Sequence, residues 1–215
     1  MHRTQGLLAT AALAALATLV PLPALAGAQA EEALSPSVAT VLSRAISDQP
    51  VPSDWELRPD AKAWIADMSK RLASRMPDEA ERRDLLRSVH YESVRAGLDP
   101  QLVLAVIHHE SGFKKYAVSV AGARGYMQVM PFWVRLIGDP GHNLFHLRTN
   151  LRYGCVILRH YLDRENGDLY RALGRYNGSL GKPEYPGAVM AAMQRYASSA
   201  APVSLGVGAS VPALR

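Results

Sequence analysis

The residues whose types and spacing could support a chemical reaction lie in the stretch VLAVIHHESGFKKYAVSVAGARGYMQVMP, residues 103–131. It begins with an apolar helical pattern whose face contains Val103, Val106 and Ile107. The next residue on the same face of the helix is Glu110. Burial raises the pKa of a carboxyl by disfavouring its charged form, which is what a general acid requires at neutral pH. The pattern predicts Glu110 as a catalytic acid, against the alternative of an ordinary helix-end glutamate turned to solvent.

Glu110 has no second carboxylate near it in the sequence. No Asp or Glu lies between Ser111 and Gly138, whereas retaining and inverting glycosidases use a second carboxylate as nucleophile or base. A single acid needs help from its substrate: an N-acetyl group can attack the anomeric carbon, and the same residue can then act as base. Carboxylates that could still approach Glu110 in three dimensions are Asp139, Asp163 and Glu184.

Histidines beside Glu110 raise the question of a metal site. His108 and His109 are adjacent, and adjacent residues on a helix point about 100° apart. The two histidines of a zincin motif are instead one helical turn apart. His142 and His146 have that spacing but stand among loop-forming residues, so we interpret them as solvated. The sequence predicts no metal site and no cofactor.

Four short motifs follow one another between Asp99 and Tyr196. They are the pair Glu110-Ser111, the stretch SVAGARGYMQVMP at 119–131, the segment NLRYG at 150–154, and ALGRYNG at 172–178. In this order they resemble the SLT-type lytic transglycosylases, bacterial enzymes that cut the glycan strand of peptidoglycan. Two positions depart from the family pattern, because Tyr126 replaces the usual Leu and Arg175 stands at an Ala position.

The resemblance implies a mainly α, lysozyme-like α+β fold, in which a helical bundle and a small hairpin or irregular lobe flank a cleft. It implies cleavage of the MurNAc–GlcNAc β-1,4 bond without water. Glu110 would act first as acid and then as base toward the C6 hydroxyl of MurNAc, leaving a 1,6-anhydro end. Tyr176 would reach Glu110 and the reacting sugar. The substrate-binding residues implied by the resemblance are Ser111, Ser119, Gln128, Met130, Tyr176 and Asn177.

Three of these residues also have a plain structural interpretation. A helical Tyr such as Tyr176 often packs in the core, Met130 is a typical packing residue, and Asn177 with Gly178 is typical of a helix end. A lysozyme-like hydrolase and a non-catalytic protein that holds glycan strands therefore remain open. Glu110 favours an enzyme, because a binding protein needs no carboxyl on an apolar face.

Residues 1–30 have the pattern of a cleavable signal peptide. A short basic start precedes an apolar run at 7–20, and small-residue cleavage patterns follow at 24–26 and 28–30. Two prolines, at 21 and 23, keep the apolar run below the roughly 20 residues that a membrane span needs. We predict cleavage near Ala26 or Ala30 and a periplasmic location. No cysteine follows the run, so a lipid anchor has no attachment point.

Composition and the spacing of apolar residues divide the rest of the chain into segments. Residues 31–56 are rich in Ala, Ser and Pro and are predicted to be a linker. Helical patterns recur over the predicted catalytic domain, residues 57–197, and only Phe113–Val129 lacks them. Residues 198–215 are predicted to be a disordered tail.

Charge and cysteine content restrict the partners. The formal net charge is +5, and Lys and Arg are scattered without a basic run interleaved with aromatics, so we expect no nucleic acid partner. The single cysteine, Cys155, can form no internal disulfide. Peptidoglycan glycan strands are the predicted partner, and the resemblance also allows an envelope-spanning secretion or conjugation apparatus. We expect a monomer.

Overall fold

The computed structural model describes residues 29–47 and 50–197. The predicted disordered tail lies outside the described residues, and so does all of the predicted signal peptide except Gln29 and Ala30. In chain order the helical elements are α1 (Pro36–Ile46), a 3₁₀ turn (Trp55–Leu57), α2 (Pro59–Leu72), α3 (Glu79–Arg95), α4 (Pro100–Glu110), α5 (Phe132–Ile137), α6 (Leu147–Arg164), α7 (Leu169–Tyr176) and α8 (Glu184–Arg195).

The helix starts follow the capping signals in the sequence. Asp78 accepts a hydrogen bond from the backbone N–H of Glu81 (2.9 Å) at the start of α3. At the start of α4, Asp99 accepts from Gln101 N–H (2.8 Å) and Pro100 occupies the first turn. Both starts, and the mainly α class, agree with the sequence predictions.

The core is centred on α4, of which residues 102–107 are all buried. Helix α4 packs against α3 and α8, while α6 packs against α3 and α7. Within the described residues no helix is both long and apolar enough to cross a membrane. Buried side chains on α2 and α3 and just after α2 complete this core: Trp64, Ile65, Met68, Leu72, Met76, Leu85, Leu86, Val89 and Ser93.

The linker predicted for residues 31–56 contains α1, so that prediction is wrong for Pro36–Ile46. The Ser35 hydroxyl caps the helix by accepting from Val38 N–H (3.3 Å). Leu42 and Ile46 are buried, and α1 packs against α5 and α6. Its apolar residues, Val38, Val41, Leu42, Ala45 and Ile46, do recur at helical spacing, so the Ala, Ser and Pro content was the wrong guide to this segment.

A buried ion-pair cluster docks the end of α1 on the domain. Glu92 pairs with Arg95 (3.1 Å), Arg148 (3.5 Å) and Arg152 (3.7 Å). Arg95 donates to Ser47 O (3.1 Å), and Arg152 donates to Ile46 O (3.1 Å). Carbonyls at a helix C-terminus carry partial negative charge, so these guanidinium groups stabilise the end of α1.

An irregular lobe between α4 and α5 is the non-helical part that the sequence predicted. Its backbone forms isolated antiparallel bridges, Val118 with Arg124 and Arg124 with Val129. Residue 124 therefore has partners on both sides, without a regular hairpin. The short helix α5 follows the lobe and was not predicted.

His90 should make the stability of the fold depend on pH. It is fully buried, Trp55 Nε1 donates to its Nδ1 (3.2 Å), and burial lowers its pKa to about 4, although Asp60 acts in the opposite direction. Because the folded pKa lies below the ordinary 6.5, stability present above pH 6.5 is lost as pH falls toward 4. We expect a loss of about 3 kcal/mol in the free energy of unfolding.

Urea unfolding at a series of pH values tests this expectation. His90→Gln should remove most of the loss between pH 6.5 and 4, whereas His146→Gln, at an exposed histidine just before α6, should keep it. Equal pH dependence in the parent and His90→Gln would show that another group is responsible.

Candidate active site

Glu110 is the last residue of α4, the central helix of the core. Residues 102–107 of this helix are all buried, so the helix end is held in place. Glu110 itself is only partly buried, which leaves it accessible to a ligand. Its Oε1 accepts a hydrogen bond from the hydroxyl of Tyr185 (2.6 Å).

The environment of Glu110 favours its neutral form. Burial raises the pKa of the carboxyl to about 8 from an ordinary 4.5, although the hydrogen bond from Tyr185 acts in the opposite direction. A helix C-terminus also disfavours negative charge. A carboxyl with this pKa is protonated at neutral pH and can donate a proton, as a general acid must.

Tyr185 was not selected from the sequence. It is buried at the start of α8, and burial together with the nearby Glu110 raises the pKa of its hydroxyl well above the usual value. It is therefore a neutral donor. The ring of His109 contacts that of Tyr185 edge-on, with centroids 5.0 Å apart. No local pattern indicates this role, because Tyr185 lies 75 residues from Glu110 along the chain.

Other carboxylates do not contribute to the shifted pKa of Glu110, whose causes are burial and the Tyr185 hydrogen bond. Asp163 pairs with Arg159, and Asp139 accepts from Gly141 N–H (2.7 Å) in its own loop. Glu184 is exposed. Within residues 29–47 and 50–197, Glu110 makes no ion pair.

The irregular lobe is held beside the helices by Asn150 on α6. Asn150 Oδ1 accepts from Met127 N–H (2.8 Å), and its Nδ2 donates to the carbonyls of Arg124 and Leu144 (both 2.8 Å). Gly154, one turn later, lets Met127 pack against α6, since a Cβ there would overlap the Met127 side chain. These contacts explain why the NLRYG segment has asparagine at its first position and glycine at its last.

We expect Asn150→Ala to lower the free energy of unfolding by about 3 kcal/mol, because three backbone groups, two of them buried and one partly buried, would lose their partner. The matched change is Asn143→Ala. Asn143 is exposed and accepts from Phe145 N–H (2.9 Å), so water can replace it and the change should stay within about 0.5 kcal/mol. Urea unfolding of both variants measures the difference, and equal losses would contradict the assigned role of Asn150.

Gln128 supports the same lobe from within. Its backbone has φ of 48°, a left-handed conformation, and its Nε2 donates to Ala117 O (3.1 Å) and Gly125 O (2.9 Å). Among the described residues, its amide oxygen has no hydrogen bond. This oxygen is the atom of Gln128 that could accept from a sugar.

The remaining predicted site residues have local contacts. Ser111 Oγ donates to Ile107 O (3.1 Å), and Ser119 Oγ accepts from Ala123 N–H (3.1 Å). Asn177 follows the end of α7, and its Nδ2 donates to Ser179 Oγ (3.0 Å).

Tyr176 is fully buried, and its hydroxyl donates to Met127 O (2.8 Å) rather than to Glu110. Glu110 is nevertheless close enough to contribute, after burial, to the raised pKa of Tyr176. In this structure Tyr185, rather than Tyr176, donates the hydrogen bond to Glu110.

The histidines make contacts with tyrosines. His108 Nδ1 lies 2.6 Å from the hydroxyl of Tyr196, and His142 Nδ1 lies 2.8 Å from that of Tyr153. Tyr153 is buried, so the interpretation of His142 as merely solvated is incomplete. Across the described ranges no group of three or more His, Cys, Asp or Glu residues could hold a metal ion.

Comparison with protein families matches residues 87–187 to the Transglycosylase SLT domain. A transglycosylase of Enterobacteria phage PRD1 is 35% identical over 105 residues, covering 46% of this chain and 38% of that protein. Membrane-bound lytic murein transglycosylase C of Haemophilus ducreyi is 30% identical over 119 residues, covering 48% and 32%. The chain thus spans about a third of the length of these relatives.

Two solved structures are also similar. An inactive mutant of the lytic transglycosylase Slt from Pseudomonas aeruginosa has a TM-score of 0.42 and 19% identity, covering 80% of this chain and 36% of that one. The 70-kDa soluble lytic transglycosylase in complex with bulgecin A has a TM-score of 0.40 and 18% identity, covering 72% and 28%. The range matched by the family contains Glu110, the irregular lobe, Asn150, Tyr176 and Tyr185.

Proposed function

Because residues 87–187 match the Transglycosylase SLT domain, we propose that this protein is a lytic transglycosylase that cleaves peptidoglycan without water. The bond cleaved is the β-1,4 bond between MurNAc and GlcNAc, and the product is a 1,6-anhydroMurNAc end. The observation that carries this proposal is Glu110, an accessible carboxyl that its environment keeps neutral.

In the first step Glu110 donates its proton to the glycosidic oxygen. The bond from that oxygen to C1 of MurNAc breaks, and its electron pair stays on the departing sugar. The acetamido carbonyl of MurNAc attacks C1 and forms an oxazolinium ring, which replaces the nucleophile that a second carboxylate would supply. Glu110 is now a carboxylate, stabilised by the hydrogen bond from Tyr185.

In the second step the Glu110 carboxylate removes the proton of the C6 hydroxyl of the same MurNAc. O6 attacks C1, the oxazolinium ring opens, and the 1,6-anhydro bond forms. Glu110 regains its proton, so one residue acts as acid and base and no water is consumed. Gln128 and Ser119 would orient the sugar, Met130 and Ser111 would border it, and Asn177 would support the end of α7.

Asp139→Asn and Glu184→Gln should each keep turnover within about twofold of the parent. Neither carboxylate contributes to the pKa of Glu110, and both residues are exposed, so neither is placed to act as nucleophile or base. Release of soluble fragments from purified peptidoglycan sacculi gives the rates. Loss of activity in a folded variant, or a trapped sugar ester on the protein, would reveal a second catalytic carboxylate.

The lysozyme-like hydrolase and the glycan-holding protein predict different products. Mass spectrometry of digested sacculi separates them: anhydro ends support the proposal, reducing ends support a hydrolase, and intact sacculi support a non-catalytic protein. We further propose that the protein acts in the periplasm after export by a cleavable signal. Monomeric state and association with a secretion or conjugation apparatus stay predictions.

A further inference from the structure

Three large apolar side chains are exposed together on the irregular lobe. Tyr116 is 70% exposed, Val118 60% and Val120 106%, whereas Ala117 and Ser119 between them are less exposed. Successive side chains of an extended segment point to opposite sides, so the three lie on one side of the lobe. Single large apolar side chains are ordinary on a protein surface, but a group of them indicates a binding surface.

Aromatic and basic side chains extend this surface. The ring of Phe145, in the loop before α6, lies 5.9 Å from that of Tyr116, centroid to centroid. The guanidinium of Arg124 lies over the Phe145 ring (5.9 Å), and the ammonium of Lys115 lies over the Tyr116 ring (5.4 Å). We call this surface the outer face of the lobe, and its residues are Lys115, Tyr116, Val118, Val120, Arg124 and Phe145.

The positive charge of the outer face is not compensated. No Asp or Glu lies between Ser111 and Gly138 in the sequence. In the part of the chain that the structure describes, neither Lys115 nor Arg124 forms an ion pair. From α3, Glu81 reaches the lobe, but it accepts a hydrogen bond from the hydroxyl of the buried Tyr126 (3.2 Å). A negatively charged partner is therefore complementary to this face.

The side-chain types favour a lipid bilayer over other acidic partners. Val118 and Val120 offer a sugar neither a hydrogen bond nor a flat ring, but they can enter the boundary between headgroups and acyl chains. A tyrosine suits the same boundary, because its ring is apolar and its hydroxyl is polar. Lys115 and Arg124 can keep their charges among the headgroups while their aliphatic stems lie along apolar groups.

The opposite side of the lobe is left free by such a contact. Ser119, which alternates with Val118 and Val120, is one of the residues predicted to bind the glycan. Its Oγ accepts from Ala123 N–H (3.1 Å) within the lobe. A bilayer on the outer face would therefore not compete with the glycan for Ser119.

We propose that the outer face of the lobe is a peripheral membrane-binding site for anionic phospholipid bilayers. Tyr116, Val118 and Val120 enter the interface, and Lys115 and Arg124 bind headgroup phosphates. This inference goes beyond the proposed function and does not depend on it, because membrane binding involves no glycan. If both hold, the protein acts on glycan strands that lie beside a membrane.

Sedimentation with vesicles tests the proposal. The parent should bind vesicles of phosphatidylcholine mixed with phosphatidylglycerol about 25-fold more tightly than phosphatidylcholine alone, since each of the two cations contributes roughly fivefold. Val120→Asp should weaken binding to the anionic vesicles about tenfold, because it removes an inserted apolar group and adds a repelled charge. Leu57→Asp, at a residue of the 3₁₀ turn that is 75% exposed, is the matched control and should equal the parent.

All proteins in this comparison carry the same N-terminus, determined by intact mass, so that the apolar run at 7–20 contributes equally or not at all. Urea unfolding checks that each variant is folded. Equal binding by the parent and a folded Val120→Asp would overturn the proposal.

A charge-matched pair of variants tests the role of the cations. Lys115→Gln combined with Arg124→Gln should lower affinity for the anionic vesicles about 25-fold and leave binding to phosphatidylcholine unchanged. Lys182→Gln combined with Arg195→Gln removes the same charge at exposed positions before and at the end of α8, and should retain parental affinity. Equal losses in the two pairs would show a response to net charge and contradict a site on the lobe.

A fluorescent label tests insertion at a defined residue. The native Cys155 is buried, so an environment-sensitive fluorophore can be attached selectively in Val120→Cys. Its emission should shift to the blue with anionic vesicles, as it leaves water. Ala191→Cys, labelled at an exposed position of α8, should show no shift. A shift at residue 191 without one at residue 120 would place the membrane contact elsewhere and overturn the proposal.

The inference and the proposed function can fail separately. Purified sacculi contain no bilayer, so Val120→Asp should digest them at the parental rate. If the parent releases no anhydro ends but still requires Val120 for vesicle binding, the reaction is wrong and the membrane site stands. If the parent ignores both kinds of vesicle while Val120→Asp weakens its sedimentation with sacculi, the outer face contacts peptidoglycan and the membrane site is wrong.

Discussion

Glu110→Gln should keep the fold and lose about 10⁴-fold or more in turnover. Gln has nearly the same shape but cannot donate and then retrieve a proton. Positioned acid–base catalysis contributes roughly 10²- to 10⁴-fold, and here one residue serves both steps, so we expect the upper end. Removing a carboxyl whose environment disfavours its charge should not destabilise the protein.

Fragment release from sacculi measures the turnover, and urea unfolding checks the fold. Glu79→Gln, a change of the same kind on an exposed residue of α3, should retain parental activity. A Glu110→Gln protein within tenfold of the parent would show that another group moves the proton.

Tyr185→Phe should shift the pH dependence of the reaction as well as lower its rate. The hydroxyl of Tyr185 stabilises the charged form of Glu110 and lowers its pKa. A hydrogen bond to a charged group contributes about 1.5–3 kcal/mol, or about 1–2 pKa units. We therefore expect the fall in activity on the alkaline side, which reports deprotonation of Glu110, to move up by about 1–2 pH units.

The maximal rate should also fall, by about 10- to 100-fold, because the Glu110 carboxylate formed in the first step loses its donor. The test is kcat/KM over a range of pH for the parent and Tyr185→Phe. Tyr196→Phe is the matched control, since its hydroxyl contacts His108 rather than Glu110. A slower Tyr185→Phe enzyme with an unchanged pH profile would assign Tyr185 to packing alone.

Local signals predicted much of what positions Glu110. Asp99 and Pro100 mark the start of α4, and the structure begins the helix there. One apolar face does not by itself distinguish Glu110, because Leu102 and Leu104, off that face, are buried too. The position of Glu110 at the end of a helix enclosed by the core matters more than the face on which it lies.

Contacts between distant segments were not predictable in the same way. Tyr185 reaches Glu110 from α8, and Gln29 reaches Trp133 across 104 residues. Helical period and capping describe neighbours along the chain, whereas these pairs depend on how α8 and the residues before α1 pack. Asn150 lies between these two cases. The motif that contains it is visible in the sequence, but its hydrogen bonds to the irregular lobe are visible only in the structure.

The fate of water tests the central claim most directly. Purified sacculi are digested in water enriched in heavy oxygen, and the new glycan ends are identified by mass spectrometry. The proposed reaction predicts 1,6-anhydroMurNAc ends that carry no heavy oxygen, since the C6 hydroxyl of the sugar attacks C1. Reducing MurNAc ends labelled with heavy oxygen by the parent protein, but not by Glu110→Gln, would contradict the non-hydrolytic mechanism and establish a hydrolase at the same site.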